Sequence, residues 1–70
     1  MEKIEISTEF IKLDSLLKFA ALTGTGGEAK YCIAEGMVSV NGEVCTQRCK
    51  KIYPSERVSF SGTELEIIKV

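Results

Sequence analysis

Hydrophobic and polar positions change their period along this chain, and each change marks a boundary. Lys3–Ile6 alternate as K-I-E-I, a period of two that puts Ile4 and Ile6 on one side of a short strand and Glu5 on the other. From Leu13 the period lengthens. Leu13, Leu16, Leu17, Ala20 and Ala21 recur at spacings of three and four, which lines one helix face and leaves Lys18 on the other; Asp14 is placed to cap the first turn. The tract T-G-T-G-G at Thr23–Gly27 ends this helix in a turn, because three glycines in five positions cost too much in a helix interior.

Thr25 and Glu28 then have capping-box spacing: the threonine oxygen accepts a free helix N–H, and the glutamate carboxylate reaches back. A second helix is expected from Gly26. Its inward face is Ala29, Cys32 and Ile33, its outward face Glu28, Lys30 and Glu35, and Gly36 stands where a left-handed cap residue belongs.

Beyond Gly36 the period returns to two. M-V-S-V groups Val38 with Val40, and Asn41-Gly42 supplies the two positive-φ residues of a tight hairpin. The returning arm, Glu43–Thr46, has Val44 as its inward candidate. The polar stretch Q-R-C-K-K predicts a loop, and Pro54 fits the second position of a type I turn running through Ser55 and Glu56. Val58 and Phe60 form the next strand, Ser61-Gly62 turns the chain, and Leu65 and Ile67 set the face of the last strand. The order of one strand, two helices and a strand-rich half predicts an α+β fold with a mostly antiparallel sheet.

Composition narrows what such a fold does. Seventy residues, 44% hydrophobic and 27% charged, have room for a single domain over 1–70 with a modest core. The formal charge is −1, so any nucleic-acid surface must be a local patch. Histidine is absent, which removes Ser-His and Cys-His nucleophiles and histidine metal sites. The acidic residues lie on solvated faces without the apolar shell that makes a general acid, so no catalytic residue, and hence no enzyme, is expected. Three cysteines, Cys32, Cys45 and Cys49, do not complete a four-ligand metal site, and no cofactor is expected. An odd cysteine set with no secretory or membrane-spanning stretch predicts reduced thiols, a cytoplasmic location and no membrane partner.

Arg48, Lys50 and Lys51 fall within four positions of one another, and Lys12, Lys18 and Lys30 join them if the outer sides of the helices abut this loop. No aromatic is interleaved with that basic run. Tyr31 and Tyr53 could each stack on a base, but helix-face or core packing is the default reading for such amphipathic rings. The G-T-G-G tract lacks the lysine spacing of a nucleotide-binding loop, although the helix start it opens offers N–H donors to a single backbone phosphate.

Gly26–Glu43, with the sequence G-G-E-A-K-Y-C-I-A-E-G-M-V-S-V-N-G-E, resembles the S4-type RNA-binding domain, most of all the compact stand-alone bacterial subfamily typified by YaaA and YbcJ. I-K-L-D-S-L-L-K at Ile11–Lys18 resembles that family's first helix, and the basic residues after the hairpin its R-R-x-K-K-like tract. The resemblance implies the S4-like alpha-L motif: two short helices packed against a small bent sheet, with the helix pair and adjoining loop contacting structured RNA. It also implies that Lys18, Lys30, Arg48, Lys50 and Lys51 make phosphate contacts, while Gly27 and Asn41 shape the surface; Lys12, from the basic helix face, and Thr25, from the start of the second helix, complete the expected RNA-binding set. Two departures stand out: Pro54-Ser55-Glu56-Arg57 replaces a Gly-Asp turn, and Gln47 stands where a basic residue is frequent. The expected function is noncatalytic binding of structured RNA, ribosomal or ribosome-associated, by a monomer. A protein-interaction module on the same fold is the alternative, consistent with the net charge.

Overall fold

A computed structural model describes residues 2–70. In chain order the elements are β1 (Glu2–Ile6), β2 (Ile11–Lys12), α1 (Leu13–Phe19), α2 (Gly26–Ala34), β3 (Val38–Val40), β4 (Glu43–Val44), β5 (Lys51–Ile52), β6 (Arg57–Phe60) and β7 (Thr63–Lys69). Five strands form a mixed sheet in the order β1-β7-β6-β3-β4, with β1 parallel to β7 and the other pairings antiparallel. β2 and β5 form a separate antiparallel ribbon. The α+β expectation of two short helices on a small, mostly antiparallel sheet holds.

Register decides which face is buried. Val40 lies opposite Val58, and Val58 opposite Leu65, so one face of β3, β6 and β7 is apolar. Ser39, Ser59 and Glu64 occupy the other. The apolar face meets Leu13, Leu16 and Leu17 of α1 and Ala29 and Ile33 of α2 in one cluster that also takes Ile6, Ile52 and Ile67. At seven residues α1 is too short to persist alone. Its three leucines are fully buried, each contributing about 1.5–3 kcal/mol, and this packing holds the helix.

Four local expectations need correction. First, α1 stops at Phe19 instead of continuing through Ala21, because Ala21 turns left-handed at φ 60°. There its N–H donates to the Lys18 carbonyl and that of Leu22 to the Leu17 carbonyl, each at 3.0 Å. Second, Asp14 is not the cap of α1. That position is Lys12, without a side-chain bond, and the Asp14 Oδ1 accepts from the Ser15 N–H at 2.8 Å inside the first turn.

Third, Val44 points outward and is 64% exposed. The two-residue turn at Asn41-Gly42, with φ of 52° and 88°, pairs Val40 with Glu43 and Ser39 with Val44, which puts Val44 on the outer face. Cys45 instead packs against the core, its N–H bonded to the Val38 carbonyl at 2.9 Å. Fourth, the Pro54 turn is type II, not type I. Ser55 sits at φ 77°, held by its N–H donating to the Ile67 carbonyl.

The second helix follows its pattern closely. The Thr25 Oγ1 accepts from the Glu28 N–H at 3.1 Å, and the Glu28 Oε1 accepts from Gly24 at 2.7 Å, one residue earlier than the usual reciprocal bond. Gly36 closes the helix at φ 75°, with its N–H on the Ile33 carbonyl and that of Met37 on the Cys32 carbonyl, both at 3.1 Å.

Candidate nucleic-acid interface

The basic loop between β4 and β5 is polar and exposed, yet its backbone is tied down. Leu13 N–H donates to the Lys50 carbonyl at 2.9 Å and Asp14 N–H to the Arg48 carbonyl at 3.1 Å, so the loop caps α1 with its own main chain. Lys50 N–H closes a turn onto the Gln47 carbonyl at 3.1 Å, and the Cys45 thiol also approaches that oxygen. With carbonyls directed at the helix, the side chains of Arg48 and Lys50 are left in solvent.

The β2–β5 ribbon adds the next two cations. Ile11 pairs with Ile52 and Lys12 with Lys51. The isoleucines turn toward the core, Ile52 fully buried, so both lysines emerge directly opposite each other on the solvent face. Opposed like charges are unfavourable, and a bound anion relieves them. Strand pairing sets Lys12 beside Lys51, and helix capping brings the main chain of Arg48 and Lys50 to the first turn of α1. Acidic groups also border this set: Asp14 follows from the α1 cap, and Glu43 shares with Lys50 a shallow depression lined also by Cys45 and Gln47.

The other expected site residues occupy different positions. Lys18 and Lys30 are exposed on α1 and α2, outside the β2–β5 pairing and the loop that caps α1. Thr25 and Gly27 frame the start of α2, where the Glu28 carboxylate already accepts the Gly24 N–H. Asn41 uses its side chain internally: Nδ2 donates to the Glu56 Oε2 at 3.1 Å and Oδ1 accepts from the Arg57 N–H at 3.0 Å. The Glu56 Oε1 accepts from Tyr53 N–H at 2.7 Å, so one carboxylate joins the hairpin tip to the Pro54 turn.

Sequence reasoning allowed Tyr53 to stack but missed Phe10 and the pairing of the two rings. Extending the ribbon by one residue sets Phe10 opposite Tyr53, and their rings lie 5.8 Å apart at 46°. The Lys51 Nζ stands 4.9 Å from the Phe10 centroid, a cation–π contact. Aromatic and basic residues are therefore interleaved in space, although not along the chain. The signal was present as mirrored triplets, F-I-K at Phe10–Lys12 and K-I-Y at Lys51–Tyr53, which antiparallel pairing superposes type on type.

The sequence pattern of the S4 domain matches residues 4–68. The chain belongs to the S4-domain family. YbcJ of Escherichia coli (strain K12), named as a candidate RNA-binding protein, is 38% identical over 58 residues, 83% of each chain. RlbA of Bacillus subtilis (strain 168), named as a candidate ribosome maturation protein, is 39% identical over 59 residues, covering 84% of this chain and 83% of RlbA. The fold agrees: the solution structure of E. coli YbcJ, described as having an alpha-L motif involved in RNA binding, superposes with a TM-score of 0.75. That superposition covers 97% of this chain and 87% of YbcJ at 33% identity. The S4-like alpha-L architecture is thus common to both proteins. Among the described residues, no group of three or more Cys, Asp or Glu side chains is arranged to hold a metal ion, and no helix is long and apolar enough to cross a membrane.

Proposed function

We propose that this S4-domain protein binds structured RNA without catalysing a reaction, and that Lys12, Arg48, Lys50 and Lys51 supply the principal phosphate contacts. What supports this reading is that the exposed residues Arg48 and Lys50 sit on a loop whose main chain is bonded to the start of α1, and that Lys12 and Lys51 are opposed on the ribbon that begins there. Exposed cations on a held backbone suit phosphate positioning, which gives affinity and orientation but little base specificity. An A-form duplex presents its phosphates and 2′-hydroxyls across a wide minor groove, so shape is the feature such a surface reads. Lys18 and Lys30 extend the contact along the helix pair, while Thr25, Gly27 and Asn41 hold the shape of the flanking turns.

The names of YbcJ and RlbA, one for RNA binding and the other for ribosome maturation, support a ribosomal or ribosome-associated target. The test is binding of reduced protein to structured RNA, matched single strands, duplex DNA and ribosomal subunits, titrated across salt. Saturable binding to structured RNA or subunits that weakens with salt is the expected result. No binding at low salt would overturn the reading and leave a protein partner as the leading explanation of the fold.

A further inference from the structure

The solvent face of the β2–β5 ribbon carries two aromatic rings where a half-buried ribbon ordinarily shows polar side chains. Phe10 and Tyr53 stand at one end of this face and Lys12 and Lys51 at the other. The two rings are not equivalent. Phe10 is half-buried, its face is covered by the Lys51 ammonium, and its carbonyl is pinned by the Thr8 hydroxyl at 2.8 Å. Tyr53 is 45% exposed and tilted 46° away from Phe10, so stacking between the two does not consume its surface. Tyr53 is also fixed from behind, since its N–H is held by the Glu56 carboxylate and its carbonyl by the Glu56 N–H.

We propose that Tyr53, buttressed by Phe10, is a stacking platform for one unpaired nucleobase of the bound RNA, with the adjoining phosphate seated between Lys12 and Lys51. This deepens the RNA-binding reading and rests on it: the preferred RNA is a duplex flanked by an unstacked nucleotide, not a continuous helix. Same-face residues two apart on a strand lie about 7 Å from each other, within the reach of a single nucleotide. The opposed lysines need an anion and the exposed ring needs a flat apolar partner. A nucleotide supplies both in one rigid unit, and a paired base inside a duplex cannot offer its face.

The test compares two hairpin RNAs with the same stem, one blunt and one carrying a single unpaired purine at its end. Wild-type protein is expected to bind the second roughly tenfold more tightly. Tyr53→Leu should remove that preference while leaving the salt dependence of binding unchanged, and Tyr53→Phe should keep it. The chain has no tryptophan and only two tyrosines, so in Tyr31→Phe protein all tyrosine fluorescence comes from Tyr53. The overhanging RNA should quench that fluorescence and the blunt hairpin should not, a readout that stands even where Tyr53→Leu fails to fold. Equal wild-type affinity for the two hairpins, a preference that survives Tyr53→Leu, or unquenched Tyr53 would each overturn the stacking site while leaving RNA binding intact. Failure to bind either hairpin would overturn both readings.

Discussion

Ala21 at φ 60° and Ser55 at φ 77° occupy left-handed backbone that side-chain-bearing residues rarely adopt. The conformation costs about 1–2 kcal/mol in a residue other than glycine, asparagine or aspartate. Glycine removes that cost but adds about 0.5–1 kcal/mol of unfolded-chain entropy, so the balance favours substitution by roughly 0.5–1 kcal/mol. Ala21→Gly and Ser55→Gly are each expected to raise the thermal midpoint by about 2–8 °C in calorimetry, since 1 kcal/mol moves a domain of this size by about 4–8 °C. A fall in the midpoint would mean that the methyl or hydroxymethyl group stabilises the fold in some other way. The hairpin valines give a second contrast. Val38→Ala should cost about 2 kcal/mol because Val38 is fully buried, whereas Val44→Ala should stay within about 0.5 kcal/mol; denaturant unfolding of the two variants distinguishes them.

At the scale of elements, the tip of the β3–β4 hairpin and the Pro54 turn act as one unit through Asn41 and Glu56. Asn41→Gly keeps the positive φ and removes both side-chain bonds, so a loss of about 1–2 kcal/mol in denaturant unfolding is expected. RNA affinity of the folded variant should change only a few-fold, because the asparagine amide faces its own chain. Elements longer than a turn were legible in the sequence because their period repeats: α2 with both caps, β3, β6 and β7 all lie where the pattern puts them. β2 and β5 were not, since two residues are too few to establish a period and only their pairing defines them. Ala21 escaped for a related reason, as alanine continues a helical pattern and carries none of the signal that Gly36 gives at the end of α2. The basic run was visible as residues, but its union with Lys12 and with the Phe10–Tyr53 pair depends on strand register and on a loop that caps a distant helix.

For the whole molecule, a net charge of −1 means that no long-range field draws the protein to a polyanion. On the proposed interface, binding comes from short-range contacts, where an exposed ion pair contributes roughly 0.2–1 kcal/mol and salt competes directly. The proposed interface places those contacts on the β4–β5 loop and the ribbon beside it. The most direct test measures affinity for a structured RNA against salt concentration, in wild-type protein and in the Lys50→Ala, Lys51→Ala double variant. Loss of two phosphate contacts should weaken binding roughly tenfold at low salt and flatten the plot of log affinity against log salt by about 1.5. A double variant that folds and binds with unchanged affinity and unchanged slope would contradict the placement of the interface.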